Sequence, residues 1–89
     1  MIIINARFLT QKLTGVQRFA IELCFQMKER LGGDVQFVVP YNIIHTEIAE
    51  QLGAVVIGKK RGHLWEQIDL PIYLKAKGSP ILICLGNTA

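Results

Sequence analysis

Four short apolar runs, rich in isoleucine and valine, most constrain the fold of this 89-residue chain. Each run is four or five residues long, and continuous apolar runs of this kind are typical of strands that are covered on both faces of a parallel sheet. Glycines separate these runs from segments with helical periodicity, as connections between strands and helices require. The sequence therefore predicts parallel strands at residues 1–5, 35–39, 54–57 and 81–85.

The segments between the strands have helical character. In residues 15–31 apolar side chains recur every three or four positions, which predicts an amphipathic helix. We expect its apolar stripe to face the core and its polar residues, Gln17 among them, to face solvent. A shorter helix is predicted at 43–52, and Pro71 predicts a kink or a break within a third helical segment at 63–77. The stripe of the first helix consists of Val16, Phe19, Ala20, Leu23, Cys24, Met27 and Leu31.

The order of these elements is β-α-β-α-β-α-β, which predicts an α/β fold. We expect half of a doubly wound, Rossmann-like parallel sheet with right-handed crossovers and the strand order 3-2-1-4. Such sheets bind ligands outside the carboxyl ends of their strands, at the point where the strand order reverses. The loops that follow Asn5 and Leu85 flank this point. The junction at Gly15 and residues 86–89 are therefore expected to meet in one crevice.

Composition and charge exclude several classes of function. The chain is 51% hydrophobic and 19% charged, which favours a packed core over disorder. Its net charge of +3 is scattered apart from the run Lys59-Lys60-Arg61, so no nucleic-acid interface is predicted. This run either attracts an anionic lipid head or a diphosphate, which would allow peripheral membrane contact, or is a solvated basic loop.

The cysteines and histidines do not have the spacing of metal ligands. Cys24 and Cys84 lie in apolar surroundings, and His45 and His63 are far apart in the sequence. We therefore expect buried free thiols, no metal and no cofactor. The sequence contains no run of about 20 apolar residues, so no transmembrane segment is predicted. Free thiols favour a cytoplasmic protein.

The junction Thr14-Gly15-Val16 places a hydroxyl and a glycine where the first predicted helix begins. A helix N-terminus presents unpaired N–H groups and the positive end of the helix dipole, and a glycine there lets a phosphate or carboxylate come close to the backbone. The alternative is an ordinary loop that ends in a glycine. A dinucleotide site of the usual kind would need three glycines at this position.

Three blocks of sequence, considered together, resemble a known family. They are Ala6-Arg7-Phe8-Leu9-Thr10-Gln11 with Thr14-Gly15-Val16-Gln17-Arg18-Phe19-Ala20-Ile21-Glu22-Leu23, then Gly62-His63-Leu64-Trp65-Glu66-Gln67, and finally Gly86-Asn87-Thr88-Ala89. In order and spacing they resemble the start of glycosyltransferase family 4 enzymes, which have the GT-B fold. The resemblance implies that residues 1–89 are the first half of the N-terminal, acceptor-side domain, without the C-terminal donor domain.

The resemblance also implies an activity and candidate site residues. The family transfers a sugar from a nucleotide diphosphate sugar to an acceptor in polysaccharide or glycan synthesis, typically with retention of configuration and without a tightly held metal. The helix start would lie near the donor diphosphate and stabilise charge on the leaving group; its residues are Thr14, Gly15 and Val16. The acceptor-side candidates are Arg7, His63, Asn87 and Thr88.

One feature of the family is missing from the sequence. Its donor site carries two glutamates with seven residues between them, whereas Glu22 and Glu29 here have six between them. We therefore expect the chain to be inactive alone, as a piece of a larger transferase whose catalytic residues are not assigned here. His63 is either a general base or a polar residue at the start of a helix.

A second interpretation is a small, self-associating module that binds phosphate or another protein. Under either interpretation, residues 81–85 form an apolar edge strand with unpaired backbone groups, which proteins normally cover or pair. We therefore expect a two-fold homodimer through this strand.

Overall fold

Four strands form one all-parallel sheet in the order β3-β2-β1-β4, as predicted from the sequence. The computed structural model describes residues 1–78 and 80–85. The central strand β1 pairs with β2 on one side and with β4 on the other. The strands are β1 (Ile2–Asn5), β2 (Val35–Val39), β3 (Val55–Val56) and β4 (Ile81–Cys84). The predicted α/β class and strand order are confirmed.

Helices connect the strands, and α1 has the length expected from its periodicity. The helices are α1 (Gly15–Leu31), α2 (Thr46–Leu52), α3 (Gly62–Leu64) and α4 (Leu70–Ala76). Helix α2 begins later than predicted because the N–H groups of Ile44 and His45 donate to the Leu9 carbonyl, which holds this segment in a non-helical loop. None of the described helices is long and apolar enough to span a bilayer.

The chain stays helical through Pro71, so the predicted break does not occur. A π-helical turn, Trp65–Asp69, joins α3 to α4, and the Leu70 N–H donates to the Trp65 carbonyl five residues earlier. Proline lacks the N–H for a helical hydrogen bond, and its ring clashes with the carbonyl four residues before it. A wider turn directly before Pro71 is a recognised way to accommodate such a disruption within a helix.

Two apolar clusters cover the two faces of the sheet. Alternate residues of each strand point to opposite faces, so Ile4 packs beneath α1 and α2 while Ile3 packs against Trp65 and Leu70 on the other side. The Trp65 side chain is fully buried and its Nε1–H donates to the Ile57 carbonyl at 2.9 Å. Trp65 is therefore a core residue and does not offer a face for stacking on a sugar.

The orientation of α1 differs from the sequence-based expectation. Val16 and Phe19 are 56% and 67% exposed, whereas Gln17 is buried with Ala20 and Cys24. The apolar stripe is wider than the surface that the described sheet and α2 cover, so one flank of the helix remains open. Gln17 tolerates burial because its side chain is hydrogen-bonded on both sides, as described below.

Burial raises the pKa of the Cys24 thiol from 9.0 to about 12. Below pH 9 the thiol is protonated in both the folded and the unfolded chain, so it adds no pH dependence. Between pH 9 and 12 the unfolded thiol ionises while the folded one stays neutral. The unfolded state then binds fewer protons, and stability falls with rising pH by at most about 1.4 kcal/mol per pH unit for one group.

We therefore predict that a Cys24→Ala variant loses stability less steeply than the wild type above pH 9. Urea denaturation at pH 8, 9.5 and 10.5 measures this difference, since tyrosine and lysine titrations are common to both proteins. If the free energies of unfolding of the two proteins changed equally with pH across this range, the raised pKa of Cys24 would be contradicted. Cys84 is exposed, so Cys84→Ala serves as the control and should keep the fall in stability that burial of Cys24 causes.

Candidate polar site at the carboxyl ends of β1 and β4

A polar cluster lies at the carboxyl ends of β1 and β4, where the strand order reverses. We call it the Arg7 cluster, and it consists of Asn5, Arg7, Glu66 and Cys84. The Arg7 Nε lies 3.0 Å from Glu66 Oε2, and the Asn5 Nδ2 donates to the same oxygen at 2.8 Å. The Asn5 Nδ2 also lies 3.6 Å from the Cys84 sulfur. Asn5 thus links the Glu66 carboxylate to the end of β4.

Local backbone structure positions Asn5 and Arg7. Asn5 is the last residue of β1, and its Oδ1 accepts the Arg7 N–H at 3.0 Å, an Asx arrangement that turns the chain. The Ala6 N–H donates to the Val38 carbonyl at 2.9 Å, so the chain stays attached to β2 for one residue beyond the strand. A short 3-10 helix, Arg7–Thr10, then carries the chain towards α1.

Glu66 reaches the cluster from the opposite layer. It lies within the π-helical turn, next to the buried Trp65, and this indole anchors the turn to the loop after β3. The wider spacing of a π turn changes the direction of the side chains that it carries, and such turns occur frequently at functional sites. The cluster therefore links the helices on one face of the sheet to the loop that leads to α1 on the other.

Three members of the Arg7 cluster are largely shielded from solvent, whereas Cys84 is exposed. The side chains of Arg7 and Glu66 are 10% and 22% exposed, and Asn5 is buried. The charges of the pair offset each other, and such a pair is costly to separate because either charge alone would be buried without compensation. Within residues 1–78 and 80–85, the terminal Nη groups of Arg7 donate to no acceptor. The guanidinium therefore retains donors for a ligand.

The start of α1 is a separate, exposed feature of the same edge. Thr14, Gly15 and Val16 are all exposed, and a side chain added at Gly15 would meet no atom within 4 Å. The Gln17 side chain accepts the Thr14 N–H at 3.3 Å and donates to Gln11 Oε1 at 2.8 Å. Gln17 thereby fixes the loop that precedes the helix, and the backbone at Gly15 remains accessible.

The structure does not bring all the predicted site residues together. His63 is exposed in α3, one helical turn before Glu66, and its side chain has no hydrogen bond or ion pair to another described residue. Asn87 and Thr88 lie outside the described residues, so their predicted meeting with the helix start stays a prediction. His45, in contrast, has its Nε2 2.6 Å from the Gln11 carbonyl and lines a shallow pocket of about 250 Å³ beside α2.

Three members of the cluster, Asn5, Glu66 and Cys84, were not among the predicted site residues, and Cys84 is exposed where a buried thiol was expected. Asn5 stands out only as the polar end of an apolar run, which marks the carboxyl edge of a strand. Glu66 lies 61 residues further along the chain, in a block that carries the family resemblance, yet no local pattern pairs it with Arg7. Their meeting depends on the parallel register and on the π turn.

The basic run Lys59-Lys60-Arg61 lies in the loop that follows β3. Its side chains are exposed, and the N–H groups of Lys59 and Lys60 donate to Asp69 Oδ2 at 3.2 and 2.8 Å. A carboxylate of the chain itself already occupies these backbone donors, so a diphosphate could meet only the side chains. Among the described residues, no three potential metal ligands come together.

Comparisons with protein families, curated proteins and solved structures find no match to this chain. The fold shows an α/β protein with half of a Rossmann-like parallel sheet, and the site is defined by its own geometry.

We predict that Arg7→Met lowers the free energy of unfolding by about 2–3 kcal/mol, because it removes the cation that offsets a largely buried carboxylate. The double variant Arg7→Met/Glu66→Met should recover most of this loss, since neither charge then lacks its counterion. Urea denaturation measures both values. The exposed Arg18→Met is the control and should change stability by less than about 0.5 kcal/mol. Losses that simply add in the double variant would show that the two side chains are not coupled.

Proposed function

We propose that this chain is the first half of the acceptor-side domain of a GT-B glycosyltransferase. The single observation that carries the proposal is the Arg7 cluster, a group of hydrogen-bonding side chains at the reversal point of a parallel sheet. Doubly wound sheets bind their ligands at this point. The resemblance of the surrounding sequence blocks to glycosyltransferase family 4 supports the same assignment.

The two features of the carboxyl edge have different roles in this proposal. The Arg7 cluster binds the acceptor, because a guanidinium and an amide with fixed orientations can hold a hydroxyl-rich molecule in one position. The start of α1 lies nearer the donor, where backbone N–H groups and the helix dipole stabilise the departing nucleoside diphosphate. The sugar is transferred with retention of configuration in a complete enzyme that also supplies the donor domain.

The partners of the proposed enzyme are a nucleotide sugar and a glycan acceptor. The chain lacks the glutamate pair of the donor domain and is inactive alone. The proposal further includes a cytoplasmic location, peripheral membrane contact through the basic run and a homodimer through β4. An edge position for β4 and the 65% exposure of Ile81 support the dimer, because an uncovered apolar edge strand favours pairing.

The proposal predicts that the native polypeptide is larger than this chain of 10.0 kDa. An antibody raised against the chain should recognise a species of about 40 kDa, the mass of two domains. The immunopurified species should release nucleoside diphosphate from a nucleotide sugar when glycan acceptors are present. A 10 kDa species without this activity would contradict the transferase proposal.

A second candidate function is a small phosphate-binding module that acts without another domain. The accessible backbone at Gly15 favours this candidate, since no atom of the described chain fills the space above it. Under this hypothesis the chain alone binds a phosphorylated ligand at the start of α1. Weak or absent binding of nucleotide sugars by the chain alone agrees with the transferase proposal instead.

We predict that Gly15→Val weakens binding of a phosphorylated ligand at least about tenfold, because a branched side chain prevents close approach to the helix N-terminus. Gly33→Val is the matched control, since Gly33 also has open space around it and lies at the other end of α1. Titration of both variants with inorganic diphosphate, followed by NMR, measures the difference. Equal effects of the two substitutions would exclude the helix start as a phosphate site.

A further inference from the structure

We infer that the Arg7 guanidinium binds an oxyanion, a carboxylate or a phosphate, that belongs to the acceptor. The inference rests on the proposed function and deepens it, because it names the chemical class of the acceptor. Three observations support it: the contacts of the Arg7 guanidinium, the contacts of the Glu66 carboxylate, and the charged side chains at the carboxyl edge of the sheet.

Arg7 pairs with Glu66 at one side of its guanidinium, and its Nη groups lie at the other. Its buried Nε lies 3.0 Å from Glu66 Oε2 without the geometry of a hydrogen bond, and its side chain is 10% exposed. The Nη groups have no acceptor in the part of the chain that the structure describes, although a guanidinium carries five N–H donors. A planar, charged fork of this kind matches a carboxylate or a phosphate, and partial burial strengthens the interaction.

Glu66 serves to orient Arg7 more than to receive a ligand. Its Oε2 is approached by both the Arg7 Nε and the Asn5 Nδ2, so that oxygen is already surrounded by donors. Asn5 in turn is fixed by the Arg7 N–H at its Oδ1. The resulting ring of contacts holds the guanidinium in one direction before a ligand arrives, which lowers the entropic cost of binding.

The charges around the carboxyl edge of the sheet favour an anion. The loop after β1 carries Lys12 and the loop after β3 carries the run Lys59-Lys60-Arg61, and all four side chains are exposed. Two carboxylates are engaged within the chain: Glu66 with Arg7 and Asp69 with backbone N–H groups. Glu47, in the first turn of α2, is exposed. Local positive charge draws anionic ligands to a cleft.

The test uses NMR titration of the full chain with three small probes. Methyl glucuronide carries a carboxylate, methyl phosphate carries a phosphate, and methyl glucoside is the neutral control. We expect either anion to shift the Arg7 Nε–Hε signal, with at least about tenfold tighter binding than the glucoside. Whichever anion binds more tightly identifies whether the acceptor group is a carboxylate or a phosphate.

Three variants distinguish an effect of the Arg7 guanidinium from an effect of net charge. Arg7→Gln/Glu66→Gln removes both charges of the pair and should lose at least about tenfold in affinity for the anions. Glu66→Gln keeps an amide oxygen that can orient Arg7 and removes the competing negative charge, so its affinity should equal or exceed that of the wild type. Arg30→Gln changes the net charge by the same amount as loss of Arg7, in the exposed last turn of α1, and should stay within about twofold.

The outcomes distinguish this inference from the proposed function. Binding of the glucoside at the cluster as tightly as both anions would overturn the inference of an anionic acceptor and leave the transferase proposal intact. Loss of anion binding in Glu66→Gln, or an equal loss in Arg30→Gln, would also overturn the inference, as would absence of binding by all probes. If the anions bind through Arg7 but the native polypeptide transfers no sugar, the proposed function fails and the Arg7 anion site remains.

Discussion

The structure depends on the burial of β1 between two neighbouring strands and two layers of helix. Ile3 and Ile4 are fully buried on opposite faces, and hydrogen bonds to β2 and β4 satisfy the backbone on both edges. A strand in this position tolerates polar side chains only at its ends, because buried polar groups need partners. The Arg7 cluster lies where β1 leaves the sheet, so Asn5 and Arg7 are the first residues after the buried part of the strand whose polar side chains can bind a ligand.

The π turn connects this strand end to the opposite layer. It keeps the helical segment continuous next to Pro71 and places Glu66 within reach of Asn5 and Arg7. Since Trp65 is fixed in the core, the neighbouring carboxylate has little freedom to move away from the guanidinium. The π turn therefore both accommodates Pro71 within the helical segment and positions the Glu66 carboxylate.

The fold could be predicted from the sequence to a greater extent than the site. The strands were recognisable because their apolar runs are continuous, and the bounds of α1 followed from its periodicity and from Gly32. The predicted burial of Phe19 and exposure of Gln17 were wrong, because periodicity shows that a face of a helix is apolar without showing how much of that face is covered. Glu66 could not be paired with Arg7 from the sequence, since their contact results from strand register and a π turn.

The buried indole of Trp65 has a consequence for how this molecule can be observed. It is the single tryptophan of the chain and lies in the smaller of the two apolar clusters, on the face of the sheet opposite α1. Its fluorescence consequently reports on one layer of the fold, whereas far-ultraviolet circular dichroism is dominated by the longest helix in the other. Comparing the two signals during unfolding would show whether the layers on either side of β1 separate together or in sequence.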